Sequence, residues 1–373
     1  MKVLHFSRDY SPHDERFLNA LGQTPHEVLF LRLSPTHEIT LPAGIREVKF
    51  AKPLGGVDCV ESELVEELDH ILNTIKPDVL HAGPLNGPAY YAALSQFSPL
   101  ASMSWGFDML HDAVVNPTDK EKIQKTLQRS TVFIADCKAV AEKAVNEYNF
   151  AAEHIFRFPW GVDLKHFSPA QNSVLRNRLG WQKNFVFLSN RSFEEIYGVD
   201  VMLRAFIAAA KQAPEIRLLM YGKGSLEGEI RHMARTAGVI DKIHFGGYLS
   251  REELPESYHA ADVFLSASHC DGSSVSLLEA LACGKPALVS DIPGNLEWVR
   301  HKENGWVFQD GNEHALTALM LNASRATNLA ELGKASRRMV EEHADWQHNF
   351  AILTQAYEKA QELHASKNGD HNG

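Results

Sequence analysis

Apolar residues occur along this chain in short runs separated by longer amphipathic stretches. The runs KVLHF (2–6), EVLFL (27–31), DVLHA (78–82), TVFIA (131–135), FVFLS (185–189), RLLMY (217–221), KIHF (242–245), DVFLS (262–266), PALVS (286–290) and GWVF (305–308) predict strands. Between most of them lie stretches of helical length and pattern, such as 61–75, 199–212 and 226–238. Strands alternating with helices predict an α/β fold with parallel sheets. The alternation falters once, over residues 159–184, where Pro, Gly, Asn and Gln accumulate, and a domain boundary is expected near 165–180. Two α/β domains facing each other would form an inter-domain cleft, with ligands at the carboxyl ends of the strands. Near the C-terminus, Trp346, Phe350, Ile352, Leu353, Ala356 and Tyr357 form a helical stripe that must be buried.

Composition narrows the class. The 373 residues are 44% hydrophobic and 23% charged, as in globular proteins of about two domains. No apolar run reaches the ~18 residues that a membrane span needs. The first ten residues lack the apolar segment and cleavage site of a secretory signal. The four cysteines form no CxxC pair and suggest no disulfide framework, so a reducing cytoplasm is expected. A net charge of −10 argues against nucleic acid as a partner and leaves at most peripheral membrane contact. The cationic segment 119–130, with Lys120, Lys122, Lys125 and Arg129, reads as a solvated helix face.

The densest candidate chemistry is HCDGSSVSLLEALACGKP, residues 269–286. DVFLS should be a strand and SHCDG the loop after it, with Ser273 or Ser274 capping the next helix. Such a helix turns its N-terminal amides and partial positive charge toward the strand ends, where an anion such as a diphosphate can bind. Gly272 permits close backbone approach. Asp271 and Glu279 lie roughly 8 Å apart along the helix axis. Two hydroxyl acceptors at that spacing, with an anion site between them, suit a nucleotide-sugar. The same pair also reads as a surface loop acid and a salt-bridged helix residue, and this segment alone leaves both open.

The neighbouring segments resemble glycosyltransferase family 4, whose donor signature has two acidic residues separated by seven and followed by EA-x-A-x-G-x-P. Here the signature reads Asp271, seven residues, Glu279, then EALACGKP. In the same order stand WGVDLKHFSP (160–169), SNRSFEEIYGVDVMLRAF (189–206), YGKGSLEGEI (221–230), HFGGYLSREELPESYHAADVFLSAS (244–268) and SDIPGNLEWVRHKENGWVF (290–308). The resemblance implies the GT-B fold, two facing Rossmann-like domains: 1–165 on the acceptor side and 166–345 on the donor side. It also implies a helix at 346–365 crossing back to the first domain, before a disordered tail at 366–373. It further implies sugar transfer from a nucleotide donor with retention, without a cofactor or metal.

By the same resemblance, Arg191 neutralises the donor diphosphate and Glu279 holds the ribose. Asp271, Gly272, Ser273, Ser274 and Val275 hold the hexose, while Gly246, Tyr248 and Leu249 frame the base. Two departures stand out. Asp271 replaces the usual Glu, and Tyr197 stands where the family usually has Lys, with Lys223 as a compensating cation or a solvated turn residue.

The N-terminal half is less legible, with no glycine-rich loop after the first strand. Arg8, Asp9 and His13 are expected at the carboxyl end of that strand, and Ser11 or Asp14 should cap the following helix. His81 and Trp105 lie in later post-strand segments and read either as acceptor-side residues or as core. Asp108, in a Trp-Gly-x-Asp segment similar to that of some relatives, is expected to touch hexose or acceptor. The expected activity is hexosyl transfer from a nucleotide-diphosphate sugar to a saccharide, lipid-linked or small-molecule hydroxyl. A sugar-nucleotide epimerase of the same fold and a catalytically weakened nucleotide-sugar binding protein are the alternatives.

Overall fold

The computed structural model describes residues 1–51 and 60–369. The chain forms two units, Met1–Pro159 with Phe350–Gly373, and Trp160–Asn349. The first contains a seven-stranded parallel sheet. Its strands are β1 (Lys2–Ser7), β2 (Glu27–Arg32), β3 (Arg46–Val48), β4 (Val79–Ala82), β5 (Leu100–Met103), β6 (Val132–Ala135) and β7 (Ile155–Arg157), in the order β3-β2-β1-β4-β5-β6-β7. The second contains a six-stranded parallel sheet of β8 (Phe185–Ser189), β9 (Ile216–Tyr221), β10 (Ile243–Gly247), β11 (Val263–Ser266), β12 (Ala287–Ser290) and β13 (Gly305–Phe308). Its order is β10-β9-β8-β11-β12-β13. Each sheet reverses its strand order once, between β1 and β4 and between β8 and β11, which is the doubly wound pattern of dinucleotide-binding folds.

Strands β3, β5 and β7 were not expected from the hydrophobic pattern. β3 and β7 are three-residue edge strands. β5 is central, but it is written LASM, with small residues of low strand preference. Where the strands were legible, both sheet faces are buried. In the second unit Phe187, Leu218, Met220 and Leu265 enter one apolar cluster, while Val186, Leu188, Leu219 and Phe264 enter another. Alternate residues thus pack against helices on opposite faces.

The unit boundaries differ from the expected ones. Residues from Trp160 onward belong to the second unit because Val162 donates to the Ala344 carbonyl (2.7 Å) and accepts from the Trp346 amide (3.1 Å). The final helix, Trp346–Gly369, changes units within its first turns, at Phe350 rather than at Trp346. It also continues through residues 366–369, where a disordered tail was expected; residues 370–373 lie outside the described residues. No described helix is long and apolar enough to cross a membrane.

In the first unit, Ser11 caps helix Pro12–Leu21 in a capping box with Asp14. Asp14 also faces inward. Its Oδ1 lies 3.3 Å from Nε2 of His5, and Nδ1 of His5 lies 3.1 Å from Nδ1 of His81, its neighbour in register on β4. Tyr357 of the final helix places its hydroxyl 2.7 Å from the same His81 nitrogen. This chain of polar groups is buried from end to end. Burial, and then the nearby His5, pushes the His81 imidazole well below its ordinary pKa. Burial works against ionisation of Asp14, but the hydrogen bonds from His5 and Ser11 prevail and lower its pKa.

These shifts set a pH dependence. Folded His81 stays neutral, whereas an unfolded histidine gains a proton near pH 6.5. The unfolded state therefore binds more protons below that pH, and stability is lost as pH falls from about 6.5 toward the folded value. Urea unfolding at pH 7.5 and 5.5 should show this loss, up to about 1.4 kcal/mol per pH unit for one proton. His81→Gln keeps a polar partner for Tyr357 and should flatten the slope. An unchanged slope in that variant would contradict the assignment.

Candidate functional site

The second unit's site follows from the reversal of its strand order. β8 and β11 are parallel neighbours, with Phe187 opposite Val263 and Leu188 opposite Phe264. The loops leaving their carboxyl ends, 190–198 and 267–274, therefore begin side by side although about 80 residues separate them. Nη2 of Arg191, from the first loop, lies 2.6 Å from Oδ2 of Asp271, from the second. Nη1 of Arg191 donates to the hydroxyls of Ser274 (2.8 Å) and Ser276 (3.0 Å). The Tyr197 ring lies 4.2 Å beneath the guanidinium carbon. Only 10% of the Arg191 side chain is exposed.

Helix Val275–Ala282 starts after Ser274, but no side-chain cap bond forms there. Of the two expected caps, Ser274 does not serve, and its hydroxyl instead accepts from the charged Arg191 donor, a stronger partner than a backbone amide. The loop before the helix is fixed by close backbone packing. A Cβ on Gly294 would sit 2.3 Å from the Gly272 carbonyl oxygen and 2.5 Å from that of Asp271. Helix Pro293–Leu296 therefore rests directly on the Asp271–Gly272 backbone, a contact that only glycine at 294 permits.

Glu279 sits about one turn along helix Val275–Ala282 and is 9% exposed. Its Oε2 accepts a 2.6 Å hydrogen bond from the hydroxyl of Tyr258, which is fully buried. That hydroxyl accepts in turn from Nδ2 of Asn190 (2.6 Å). Burial, and then the carboxylate of Glu279, raises the Tyr258 pKa well above the usual phenol value, so the proton stays on the ring oxygen and aims at Glu279. Tyr258, Asn190 and Ser276 were not anticipated. All three lie within segments that carried the resemblance, but nothing local links Tyr258 to Glu279, 21 positions away.

The other predicted donor-side residues lie at the ends of β9, which neighbours β8, and of β10, which neighbours β9. The Lys223 carbonyl accepts from the Phe193 amide (2.9 Å), so this turn lies against the Arg191 loop with the Lys223 side chain exposed. Gly246 and Gly247 end β10, and the Gly247 carbonyl accepts from the Gly222 amide (2.8 Å). Tyr248 is 70% exposed, whereas Leu249 leans on the apolar core.

In the first unit, Arg8 leaves the end of β1 with its Nη2 3.6 Å from where a Cβ on Gly87 would stand. His13 meets Trp105 edge to face at 5.9 Å. Three other expected residues are engaged within the unit itself. His81 is buried within the sheet, because all four residues of β4 are covered on both faces. The Asp9 carboxylate is taken up by Arg32 (3.0 Å), the Thr36 hydroxyl (2.6 Å) and the Tyr10 amide (2.8 Å). Asp108 is wholly buried and ties two loops together. It accepts from the Ser104 hydroxyl (2.5 Å) and from the amides of Met109 (3.0 Å), Trp105 (3.2 Å) and Leu85 (2.9 Å). Burial raises its pKa to about 6 against those hydrogen bonds.

Comparison with known proteins agrees with this arrangement. The family described as glycosyl transferases group 1 matches residues 172–341, and that described as glycosyl transferase 4-like matches residues 2–136. Mannosylfructose-phosphate synthase of Agrobacterium fabrum is 29% identical over 191 residues, 48% of this chain and 42% of that protein, so the match spans less than half of the relative. D-inositol 3-phosphate glycosyltransferase of Salinispora arenicola is 26% identical over 352 residues, 83% of this chain and 76% of that protein. The crystal structure of Anabaena HepE in complex with UDP-glucose superposes with a TM-score of 0.77 at 18% identity, covering 97% of this chain and 100% of that one. With one family model on each unit, in chain order, and two doubly wound sheets, the chain belongs to glycosyltransferase family 4 and has the GT-B fold.

Proposed function

We propose that this protein is a retaining glycosyltransferase that moves a hexosyl group from a nucleotide-diphosphate sugar to a hydroxyl acceptor. The observation that carries this reading is the cluster of Arg191, Asp271, Glu279 and the start of helix Val275–Ala282 at the strand-order reversal of one sheet. The UDP-glucose held by HepE supports a uridine diphosphate donor.

The roles follow from the groups. The leaving nucleoside diphosphate gains negative charge as the glycosidic bond breaks. Arg191 and the first-turn amides of the helix stabilise that charge without reorganising. Glu279, held by Tyr258, accepts from the ribose hydroxyls. Asp271 accepts from the hexose and, through its bond to Arg191, fixes the cation between two sugar sites. Gly246, Tyr248 and Leu249 border the base. Arg8, His13 and Trp105 of the first unit serve the acceptor, a saccharide, lipid-linked or small-molecule hydroxyl.

Three outcomes follow. Arg191→Ala should lower turnover of UDP-glucose about a hundredfold, the cost of removing one charged donor from a transition-state anion. Near-normal turnover in the folded variant would contradict the role. Product from the wild-type protein, read by proton NMR, should keep the anomeric configuration of the donor. Because Arg191 and the helix amides supply the positive charge, turnover should also persist in EDTA. Loss on chelation, restored by magnesium or manganese, would show that a divalent ion holds the phosphates.

A further inference from the structure

Arg191 is enclosed on several sides. Asp271, Ser274 and Ser276 take its terminal nitrogens, and the ring of Tyr197 covers a face of the guanidinium at 4.2 Å. Its Nε is buried with no hydrogen-bond partner among the described residues. Tyr197 itself ends the short turn Glu195–Tyr197, and that turn is pinned to the loop carrying Asp271. Gly198 follows at φ +57°, and a Cβ there would lie 2.1 Å from the Ala267 carbonyl oxygen. The Ile196 carbonyl accepts from the His269 amide at 2.9 Å. The ring under Arg191 and the carboxylate beside it are therefore positioned by the same pair of loops.

We propose that Tyr197 is a positioning residue for Arg191, its ring face holding the guanidinium in the plane from which it meets the donor's diphosphate. The role rests on the donor reading above. A flat cation over an aromatic face, with its terminal nitrogens held by a carboxylate and two hydroxyls, retains little rotamer freedom. It stands ready for a charge that grows during the reaction, instead of being recruited by it. A lysine at position 197 would put a second positive charge next to Arg191 in place of the ring. The site thus relies on one cation held firmly rather than on two held loosely. Because the diphosphate is more negative in the transition state than in bound donor, misplacing Arg191 should lower kcat more than it raises KM.

The test is a cycle of purified full-length variants assayed with UDP-glucose, with UDP binding followed by thermal shift. Tyr197→Leu should lower kcat roughly tenfold with KM changed less than threefold, the pattern of an interaction that strengthens in the transition state. Tyr197→Phe, which restores the ring without the hydroxyl, should recover most of the lost kcat. In the Arg191→Ala background, Tyr197→Leu should cost nothing further, since the ring acts through the cation. If Tyr197→Leu does not fold, Tyr197→Met is read in its place. Wild-type kcat in the Leu or Met variant, no recovery with Phe, or a full additive loss on Arg191→Ala would each overturn the positioning role. Failure of UDP to stabilise the wild-type protein would overturn the donor reading and the positioning role with it.

Discussion

The candidate site depends on the pairing of β8 with β11. Parallel strands that are neighbours in space but distant in sequence send their next loops out at the same edge, and here those loops supply a cation and a carboxylate that meet at 2.6 Å. Burying such a pair is costly unless further hydrogen bonds satisfy it. The cost is offset by two serine hydroxyls and an aromatic face on the arginine. The loop of the carboxylate is braced by the backbone of helix Pro293–Leu296. Every later step in the functional reading uses this fixed charge pair.

A second polar chain serves Glu279. Asn190 donates to Tyr258, and Tyr258 donates to the carboxylate, through a ring that is also part of the apolar core. Asn190 directly precedes Arg191, so one loop supports both acidic residues of the signature, Asp271 through the arginine and Glu279 through the tyrosine. The first unit uses a comparable device for stability. Asp14, His5, His81 and Tyr357 link a helix cap, two central strands and the final helix.

The second unit was largely legible in the amino-acid sequence because its strands are short apolar runs, and because Asp271 and Glu279 lie in one short loop-and-helix segment. The strands of the first unit were legible where they were aliphatic, but the LASM strand was not, since its small residues are buried by context rather than by preference. Side-chain roles were legible only where they are local. Ser11 and Asp14 cap a helix within one turn and could be read directly. Asp108 was read as touching hexose or acceptor because it follows a strand, and His81 as acceptor-side or core; loop folding and sheet burial turn both inward. Tyr258 and Tyr357 act across 21 and 276 positions, distances over which no periodicity carries information.

The central claim is that a nucleotide-sugar diphosphate sits over Arg191 and the start of helix Val275–Ala282. Hydrogen–deuterium exchange of the full-length protein with and without UDP-glucose reads this directly. The amides of peptides covering 190–198 and 271–279 should exchange more slowly with the ligand present, since the helix start and both loops close around the phosphates. Unchanged exchange in both segments at a ligand concentration that stabilises the protein, with protection elsewhere, would contradict the account.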